Sequence, residues 1–152
     1  MRVEKDFEEF LKSLNVHKVK YLIVGAYAVT FYAAPRNTGD LDIFIDNSKT
    51  NAINVLKALE NFGFEGLGIT TEDLMTQDMI IQLGIEPNRI DLITSISGVK
   101  FQEAYKSKMK GTFGSQIVYF ISYDKLIKNK SATGRTKDMA DVELLLKFKN
   151  TN

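Results

Sequence analysis

Two aspartates stand close together in the stretch "RNTGDLDIFID", residues 36–46, where they alternate with aliphatic residues. Because successive side chains of a β-strand point to opposite faces, Asp40 and Asp42 project from the same side. Their Cβ atoms then lie about 7 Å apart, a distance at which two carboxylates repel each other. One interpretation is a half-exposed strand with a polar outer face. The other is a bound Mg²⁺ or Mn²⁺ ion, whose preferred ligands are oxygens, and the rarity of aspartate in strands favours it.

A third acid lies in the stretch "RIDLI", where Asp91 stands between Ile90 and Leu92. Its side chain therefore points away from whatever those two residues bury. A two-metal site for phosphoryl chemistry needs a further carboxylate from a neighbouring strand, and Asp91 is the candidate for it. As an isolated acid it would instead be an ordinary surface residue.

A candidate phosphate-binding turn lies at Gly25, where the strand pattern "KYLIVG" passes directly into the helix pattern "AYAVTFYAA". A helix that begins at such a turn presents free backbone N–H groups at the positive end of its dipole. Glycine lets the backbone approach a triphosphate closely. The alternative is a tight turn with nothing bound, and the motif alone does not exclude it.

Hydrophobic periodicity and turn residues divide the chain into alternating helices and strands. Helices are predicted over "DFEEFLKSL", "AYAVTFYAA", "SKTNAINVLKALENFG", "TTEDLM", "VKFQEAYKSKM", "YDKLIKNK" and "RTKDMADVELLLKF". Strands are predicted at "KYLIVG", "LDIFID", "DMIIQLG", "RIDLITSI" and "QIVYFIS", the third and fourth being paired across "IEPN". Ser48 and Ser122 are predicted N-caps, and Gly63 and Gly134 predicted helix ends. The pattern predicts one α/β (α+β) domain over residues 1–152, with a mixed β-sheet flanked by helices, on which the helices of residues 122–149 pack.

Composition excludes several classes of protein. The chain of 152 residues has no cysteine and one histidine, His17, which argues against disulfides, thiolate metal sites and histidine-based triads. The first residues lack the apolar core of a signal peptide, and no segment reaches the roughly 18 apolar residues of a membrane span, so we expect a cytoplasmic protein without a membrane partner. Residues 1–93 carry 9 Lys/Arg against 14 Asp/Glu, whereas residues 94–152 carry 11 against 5. An acidic, metal-binding half would thus face a basic half that holds a phosphate-rich ligand, unless the asymmetry is only an uneven solvated surface.

The combination of Gly25 and Ala26, thirteen intervening residues, "DLDIF" and a later "RIDLI" resembles the DNA polymerase β nucleotidyltransferase superfamily. More narrowly, "VGAYAVTFYAAPRNTGDLDIFID" is similar to small prokaryotic proteins related to AbiEii-type toxins and minimal nucleotidyltransferases. Their Arg-x-Thr-x-Asp-x-Asp run is matched by Arg36, Thr38, Asp40 and Asp42. The resemblance implies the nucleotidyltransferase fold, catalytic and metal-binding roles for Asp40, Asp42 and Asp91, and nucleotide contacts from Gly25, Ala26, Arg36 and Thr38. Where the superfamily has a second glycine or a serine, this chain has Ala26, so no hydroxyl is present there to contact a phosphate.

The basic end of the chain matches the same small proteins less specifically, through "KLIKNKSATGRTKDMADVELL". The resemblance implies that cations among Lys130, Arg135 and Lys137 face the nucleotide. The structural alternative takes Thr136 as an N-cap and Asp138 as a favourable charge at the start of the last helix. In either case the last helix is predicted to bury a stripe formed by Met139, Val142, Leu145 and Leu146.

The leading hypothesis is a Mg²⁺-dependent nucleotidyltransferase that uses a nucleoside triphosphate (NTP) such as ATP. Its acceptor would be a hydroxyl of RNA, a protein or a small molecule. The rival is a non-catalytic domain of the same fold that works by binding a protein partner, such as one half of a toxin–antitoxin pair, or by forming a homodimer. A glycosyltransferase with its own Asp-x-Asp motif fits poorly with so short a chain.

Overall fold

A six-stranded mixed sheet forms the centre of the computed structural model, which describes residues 4–35, 39–85 and 88–151. Its strands are β1 (Tyr21–Val24), β2 (Leu41–Ile45), β3 (Ile80–Leu83), β4 (Ile90–Ile93), β5 (Met109–Phe113) and β6 (Gln116–Phe120). They lie side by side in the order β3-β4-β2-β1-β6-β5. The pairs β2–β4 and β1–β6 are parallel, and the pairs β1–β2, β3–β4 and β5–β6 are antiparallel. The predicted fold class, a mixed sheet flanked by helices, is confirmed.

Helices connect and cover these strands. They are α1 (Lys5–Val16), α2 (Gly25–Tyr32), α3 (Lys49–Phe62), α4 (Thr71–Met75), α5 (Phe101–Lys106), α6 (Tyr123–Thr133) and α7 (Thr136–Thr151), with a 3₁₀ turn at Glu65–Leu67. The predicted caps are observed: the hydroxyls of Ser48 and Ser122 accept backbone N–H bonds from Asn51 and Lys125. The predicted ends are observed as well, because Gly63 and Gly134 adopt the left-handed conformation that stops a helix.

The core is formed by the apolar face of α1, the buried strands and the helices behind them. Phe7, Phe10, Leu11 and Leu14 of α1 are fully buried, as their helical spacing predicts. Phe10 packs edge-to-face on Phe62 of α3, which joins the two helices. Within the described residues, no helix is long and apolar enough to cross a membrane.

The sequence interpretation was wrong between residues 99 and 113, where it extended a helix to Met109 and missed β5. Helix α5 ends at Lys106, and β5 begins at Met109 and pairs with β6 along its whole length. The strand pattern is weak because Gly111 interrupts it. A Cβ at Gly111 would contact the rings of Phe31 and Phe120, which stack with centroids 4.1 Å apart. Packing against this aromatic pair therefore determines the residue at that position rather than strand propensity.

The buried stripe of α7 also differs from the prediction. Val142 and Leu145 are buried as expected, but Met139 and Leu146 are 41% and 46% exposed. Asp138 and Asp141 occupy the buried face instead. The helix is rotated toward these two acids because they form ion pairs with Lys130 of α6. Helices α6 and α7 pack against each other and against α2. Because α2 follows β1 directly, this packing brings the two C-terminal helices close to the C-terminal end of β1.

Candidate active site

Asp42 and Asp91 lie side by side on one face of the sheet. Strands β2 and β4 are parallel, and their register pairs Asp42 directly with Asp91. Neighbouring strands lie about 4.8 Å apart, so the two side chains emerge as close neighbours. Asp91 is buried and Asp42 is half-buried, and both line one cleft with a volume of about 490 Å³.

Asp40 lies immediately before β2 and lines the same cleft. Its Oδ1 atom is buried and has no hydrogen-bond partner among the residues that the structure describes. An unpartnered carboxylate oxygen in such a place is costly unless a cation or donor satisfies it. All three predicted acids thus meet in one cleft, on the same face of the sheet.

Residue 25, which lies against Asp42, is restricted to glycine for two physical reasons. Helix α2 begins at Gly25 directly after β1, and the sharp turn gives this residue a φ of +67°, which side-chain-bearing residues rarely adopt. In addition, a Cβ at residue 25 would overlap the carboxylate of Asp42. Gly25 and Ala26 both line the cleft, so the start of α2 faces the acids.

The environment of Asp42 disfavours its charged form. Burial, together with the nearby charges of Asp91 and Asp40, raises the pKa of Asp42 from its usual 3.8 to about 6, although Lys130 and Arg89 oppose the shift. A strand that holds a carboxylate in these surroundings loses stability when that carboxylate ionises. The unfavourable charge is what a bound cation would relieve.

Arg89 is a cleft residue that the sequence reasoning missed. Its Nε donates to Asp91 Oδ1 at 2.7 Å, and its Nη2 donates to Asp91 Oδ2 at 3.1 Å. The same Nη2 lies 2.9 Å from Asp40 Oδ2, so one guanidinium bridges two of the three acids. The signal was present, because residues two apart on a strand share a face and Arg89 precedes Asp91 by two.

The basic end of the chain reaches the same cleft. Lys130, Arg135 and Lys137 all line it, together with Asp138 and Asp141 of α7. Lys130 is buried, and its Nζ lies 3.1 Å from Asp138 Oδ1 and 3.0 Å from Asp141 Oδ2. Arg135 is largely exposed and its Nε donates to Asp138 Oδ2 at 2.6 Å. Lys137 is exposed to solvent at the cleft.

Asp138 anchors this group of cations. Its burial opposes ionisation, but hydrogen bonds from Thr133, Arg135 and Lys130 outweigh that effect and lower its pKa to about 2. The acid is therefore charged at neutral pH and holds Lys130 in place beside the cleft. The sequence interpretation gave Asp138 only a role at the start of the helix. Its partners became visible only once α6 and α7 were packed together.

Arg36 and Thr38, the remaining predicted nucleotide contacts, lie outside the described residues. A second pocket adjoins the cleft and shares Gly25, Asp42 and Lys130 with it. Beyond these residues its lining includes Ile80 and Ile93, which form one row across β3 and β4 next to the row of acids. The charged cleft therefore continues into a pocket whose lining is mostly polar but includes aliphatic side chains of the sheet.

The acids have the right chemistry for Mg²⁺, but Arg89 holds part of the set. Three carboxylates in one cleft, one of them with an unpartnered oxygen, are ligands that a hard divalent cation prefers. As the side chains of the described residues stand, however, no group of three acids or histidines is arranged to hold a metal ion. The guanidinium of Arg89 instead engages oxygens of both Asp40 and Asp91. The donor types therefore match a hard divalent cation, although Arg89 now holds three of their oxygens.

No protein-family model matches the chain, and no curated protein matches it in sequence. Among solved structures, the chain is similar to the lincomycin-bound crystal structure of LnuA, a lincosamide antibiotic adenylyltransferase. The two share 16% sequence identity, with a TM-score of 0.57, and the match covers 95% of this chain and 97% of the other. The similarity shows that the chain has a nucleotidyltransferase fold, as the sequence resemblance predicted.

Proposed function

We propose that the protein is a Mg²⁺-dependent nucleotidyltransferase that moves a nucleoside monophosphate from an NTP to an acceptor hydroxyl. The observation that carries this proposal is the direct pairing of Asp42 with Asp91 against the Gly25 turn, in a cleft lined by cations. Acids alone would suit many metal sites, and a glycine turn alone is common. Their combination suits a ligand that brings both a metal ion and a polyphosphate.

The triphosphate would lie at the start of α2. The first backbone N–H groups of a helix have no partner within it, and they point toward an anion placed at this end. Ala26 offers its N–H but no hydroxyl, so the backbone and the cations across the cleft supply the phosphate contacts. Lys137 is suited to this task because its ammonium is solvent-exposed at the cleft. Arg36 and Thr38 remain predicted contributors from the segment before Asp40.

Asp40, Asp42 and Asp91 would hold the metal ions. When bound, Mg²⁺ supplies Lewis-acid polarisation of the phosphate and stabilises negative charge on the leaving oxygen. The same carboxylates tolerate Mn²⁺, which has similar oxygen preferences. In the metal-free protein, Arg89 and Lys130 offset part of their charge.

The proposed reaction is an in-line displacement at the α-phosphorus. A bond forms between the acceptor oxygen and the α-phosphorus, and the bond from that phosphorus to the bridging oxygen of the β-phosphate breaks. The bridging oxygen keeps the electron pair and leaves with pyrophosphate, while the hydroxyl proton passes to the carboxylate of Asp91. Cations of Lys130, Arg135 and Lys137, which line the cleft, would stabilise the leaving charge, an interaction that is strongest in the transition state.

The adjoining pocket is the proposed place for the acceptor or the base. It begins at Asp42 and continues along the sheet past Ile93 and Ile80, the latter 58% exposed. The exposed Ile80 and the half-buried Ile93, among mostly polar neighbours, would suit a ligand that combines polar groups with an apolar part. LnuA shows that this fold can serve an adenylyltransferase with a small-molecule ligand, which supports including small molecules among the acceptors.

The test is transfer of label from each of the four NTPs, carrying ³²P at the α-position, in the presence of Mg²⁺. Total RNA, lysate protein and a set of hydroxylated small molecules that includes lincosamides serve as acceptors. We expect label in one acceptor class with wild type and none with Asp42→Asn or Asp91→Asn, both folded. Label absent from every class under conditions where the protein is folded and binds Mg²⁺ and NTP would contradict the transferase.

The resemblance to AbiEii-type proteins extends the proposal to a toxin–antitoxin component with RNA or protein as its acceptor. A purely partner-binding domain would have no need for three acids, a glycine turn and several cations in one cleft. Expression of wild type and of Asp42→Asn in bacterial cells, with growth as the measurement, tests this extension. Toxicity that requires Asp42 supports an enzymatic toxin, whereas toxicity unchanged by Asp42→Asn supports partner binding.

A further inference from the structure

One guanidinium occupies half of the carboxylate oxygens that the proposed metal site offers. Asp40, Asp42 and Asp91 together have six such oxygens, and Arg89 engages three of them: both oxygens of Asp91 and one of Asp40. The three contacts measure 2.7, 3.1 and 2.9 Å, so they are close, charge-assisted bonds. A cation that uses the same lone pairs must displace at least part of them.

The backbone keeps Arg89 next to the acids. The carbonyl oxygen of Arg89 accepts a bond from the N–H of Leu41 at 3.0 Å, which extends the pairing of β2 with β4 by one residue. Arg89 therefore lies beside Asp40 through the sheet register. Release of the acids requires rotation of the side chain, and its 21% exposure gives the guanidinium a path toward solvent or a ligand in the cleft.

We propose that Arg89 is a positioning residue that holds Asp40 and Asp91 in the metal-free protein and competes with divalent cations for their oxygens. This inference rests on the proposed function. Its consequence is that a metal ion binds weakly alone and more tightly together with an NTP, whose phosphate oxygens provide further ligands and a new partner for the guanidinium. Arg89 would thus couple metal binding to nucleotide binding.

Mn²⁺ binding in the absence of nucleotide, measured by electron paramagnetic resonance of the free ion, tests the competition without requiring activity. Arg89→Gln removes the competing charge and should bind Mn²⁺ at least about tenfold more tightly than wild type, because a neighbouring charge shifts such equilibria by one to three powers of ten. Arg89→Lys keeps the charge but loses the planar fork that bonds both acids, so its Mn²⁺ affinity should lie between those of wild type and Arg89→Gln. The control is Lys110→Gln, an equal change of net charge on β5, three strands from β2.

Addition of α,β-methylene ATP completes the design. It should tighten Mn²⁺ binding by wild type more than by Arg89→Gln, since the variant no longer gains from moving the guanidinium. Circular dichroism confirms that each variant is folded. If Arg89→Gln does not fold, the side-chain Nε–H resonance of Arg89 in wild type, assigned with Arg89→Lys, should shift on titration with Mg²⁺.

The outcomes separate this inference from the proposed function. Equal or weaker Mn²⁺ binding by Arg89→Gln, or an Nε–H resonance unmoved at saturating Mg²⁺, would show that Arg89 does not compete, while the transferase proposal would stand. No Mn²⁺ binding by wild type or variants, with or without the nucleotide, would overturn both.

Discussion

Asp42→Asn should stabilise the metal-free protein. The carboxyl of Asp42 has a pKa of about 6 in the folded protein, against its usual 3.8 in an unfolded chain. The difference of about two pKa units, at 1.36 kcal/mol each, corresponds to about 3 kcal/mol of stability lost when Asp42 ionises. Asparagine keeps the size and removes the charge. We therefore expect the free energy of unfolding at pH 7.5 to rise by about 1–3 kcal/mol, the lower end allowing for solvent screening.

The pH dependence identifies the cause. Because the folded pKa lies above the unfolded one, the cost of the charge is absent below about pH 4, grows between pH 4 and 6, and is complete above pH 6. The advantage of Asp42→Asn should therefore shrink to near zero at pH 4. Urea unfolding in EDTA at several pH values measures both curves. A gain of this size also raises the melting temperature by about 2–10 °C at pH 7.5.

Asp138→Asn is the matched control, because the same chemical change should have the opposite sign. Hydrogen bonds from Thr133, Arg135 and Lys130 hold the pKa of Asp138 at about 2, below its usual 3.8. The stability that this charge contributes is present above about pH 4 and is lost as the pH falls toward 2. At pH 7.5 the variant should lose about 2 kcal/mol. Destabilisation by Asp42→Asn at pH 7.5, or a gain that persists at pH 4, would refute the assignment of Asp42 as a strained acid.

Three further substitutions probe the cleft. Lys137→Ala should lower kcat about tenfold and leave KM within about twofold of wild type. Lys149→Ala, on the same helix, should change neither parameter. An equal loss of kcat in the two variants would contradict a role for Lys137 in stabilising the leaving group. Gly25→Ala should destabilise the protein by about 2 kcal/mol or more and abolish NTP binding, because it adds a Cβ at φ +67° against Asp42. If calorimetric titration shows that the variant binds NTP with wild-type affinity, residue 25 does not need to be glycine for the phosphates to approach. Lys130→Met should lower the free energy of unfolding, measured with urea, by about 3 kcal/mol, because it leaves two buried aspartates without the ammonium that pairs with them. A loss below about 1 kcal/mol would show that Lys130 is not needed to stabilise the two buried charges.

The sequence was sufficient for the parts of the fold that depend on local pattern. Alternation of apolar and acidic residues identified β2, and helical periodicity with a serine cap and a glycine end identified α3. Alternation placed Asp40 and Asp42 on one face and turned Asp91 away from its apolar neighbours, but only the register of β2 and β4 shows that the three acids share a face. The missed strand β5 has no such pattern, since its conformation is determined by pairing with β6 and by the aromatic stack over Gly111.

The charged contacts between separate elements of the cleft could not be predicted from the sequence for a different reason. Arg89 and Asp40 are 49 positions apart, and only the parallel register of β2 and β4 brings them together. Lys130, Asp138 and Asp141 meet because α7 folds back on α6 with its acids inward. Apolar periodicity assigned that inward face to Met139 and Leu146 instead. Ion pairs between separate elements depend on tertiary packing, which hydrophobic patterning does not specify.

Calorimetric titration with an α,β-methylene NTP, in Mg²⁺ and in EDTA, tests the central claim most directly, because the analogue occupies the site without reacting. We expect wild type to bind it in Mg²⁺ and to bind it far more weakly in EDTA. Asp42→Asn and Asp91→Asn should weaken binding in Mg²⁺ by at least about tenfold while remaining folded, because each removes a carboxylate that holds the metal. Equal binding with and without Mg²⁺, or wild-type affinity in both variants, would contradict a metal-dependent nucleotide site formed by these acids.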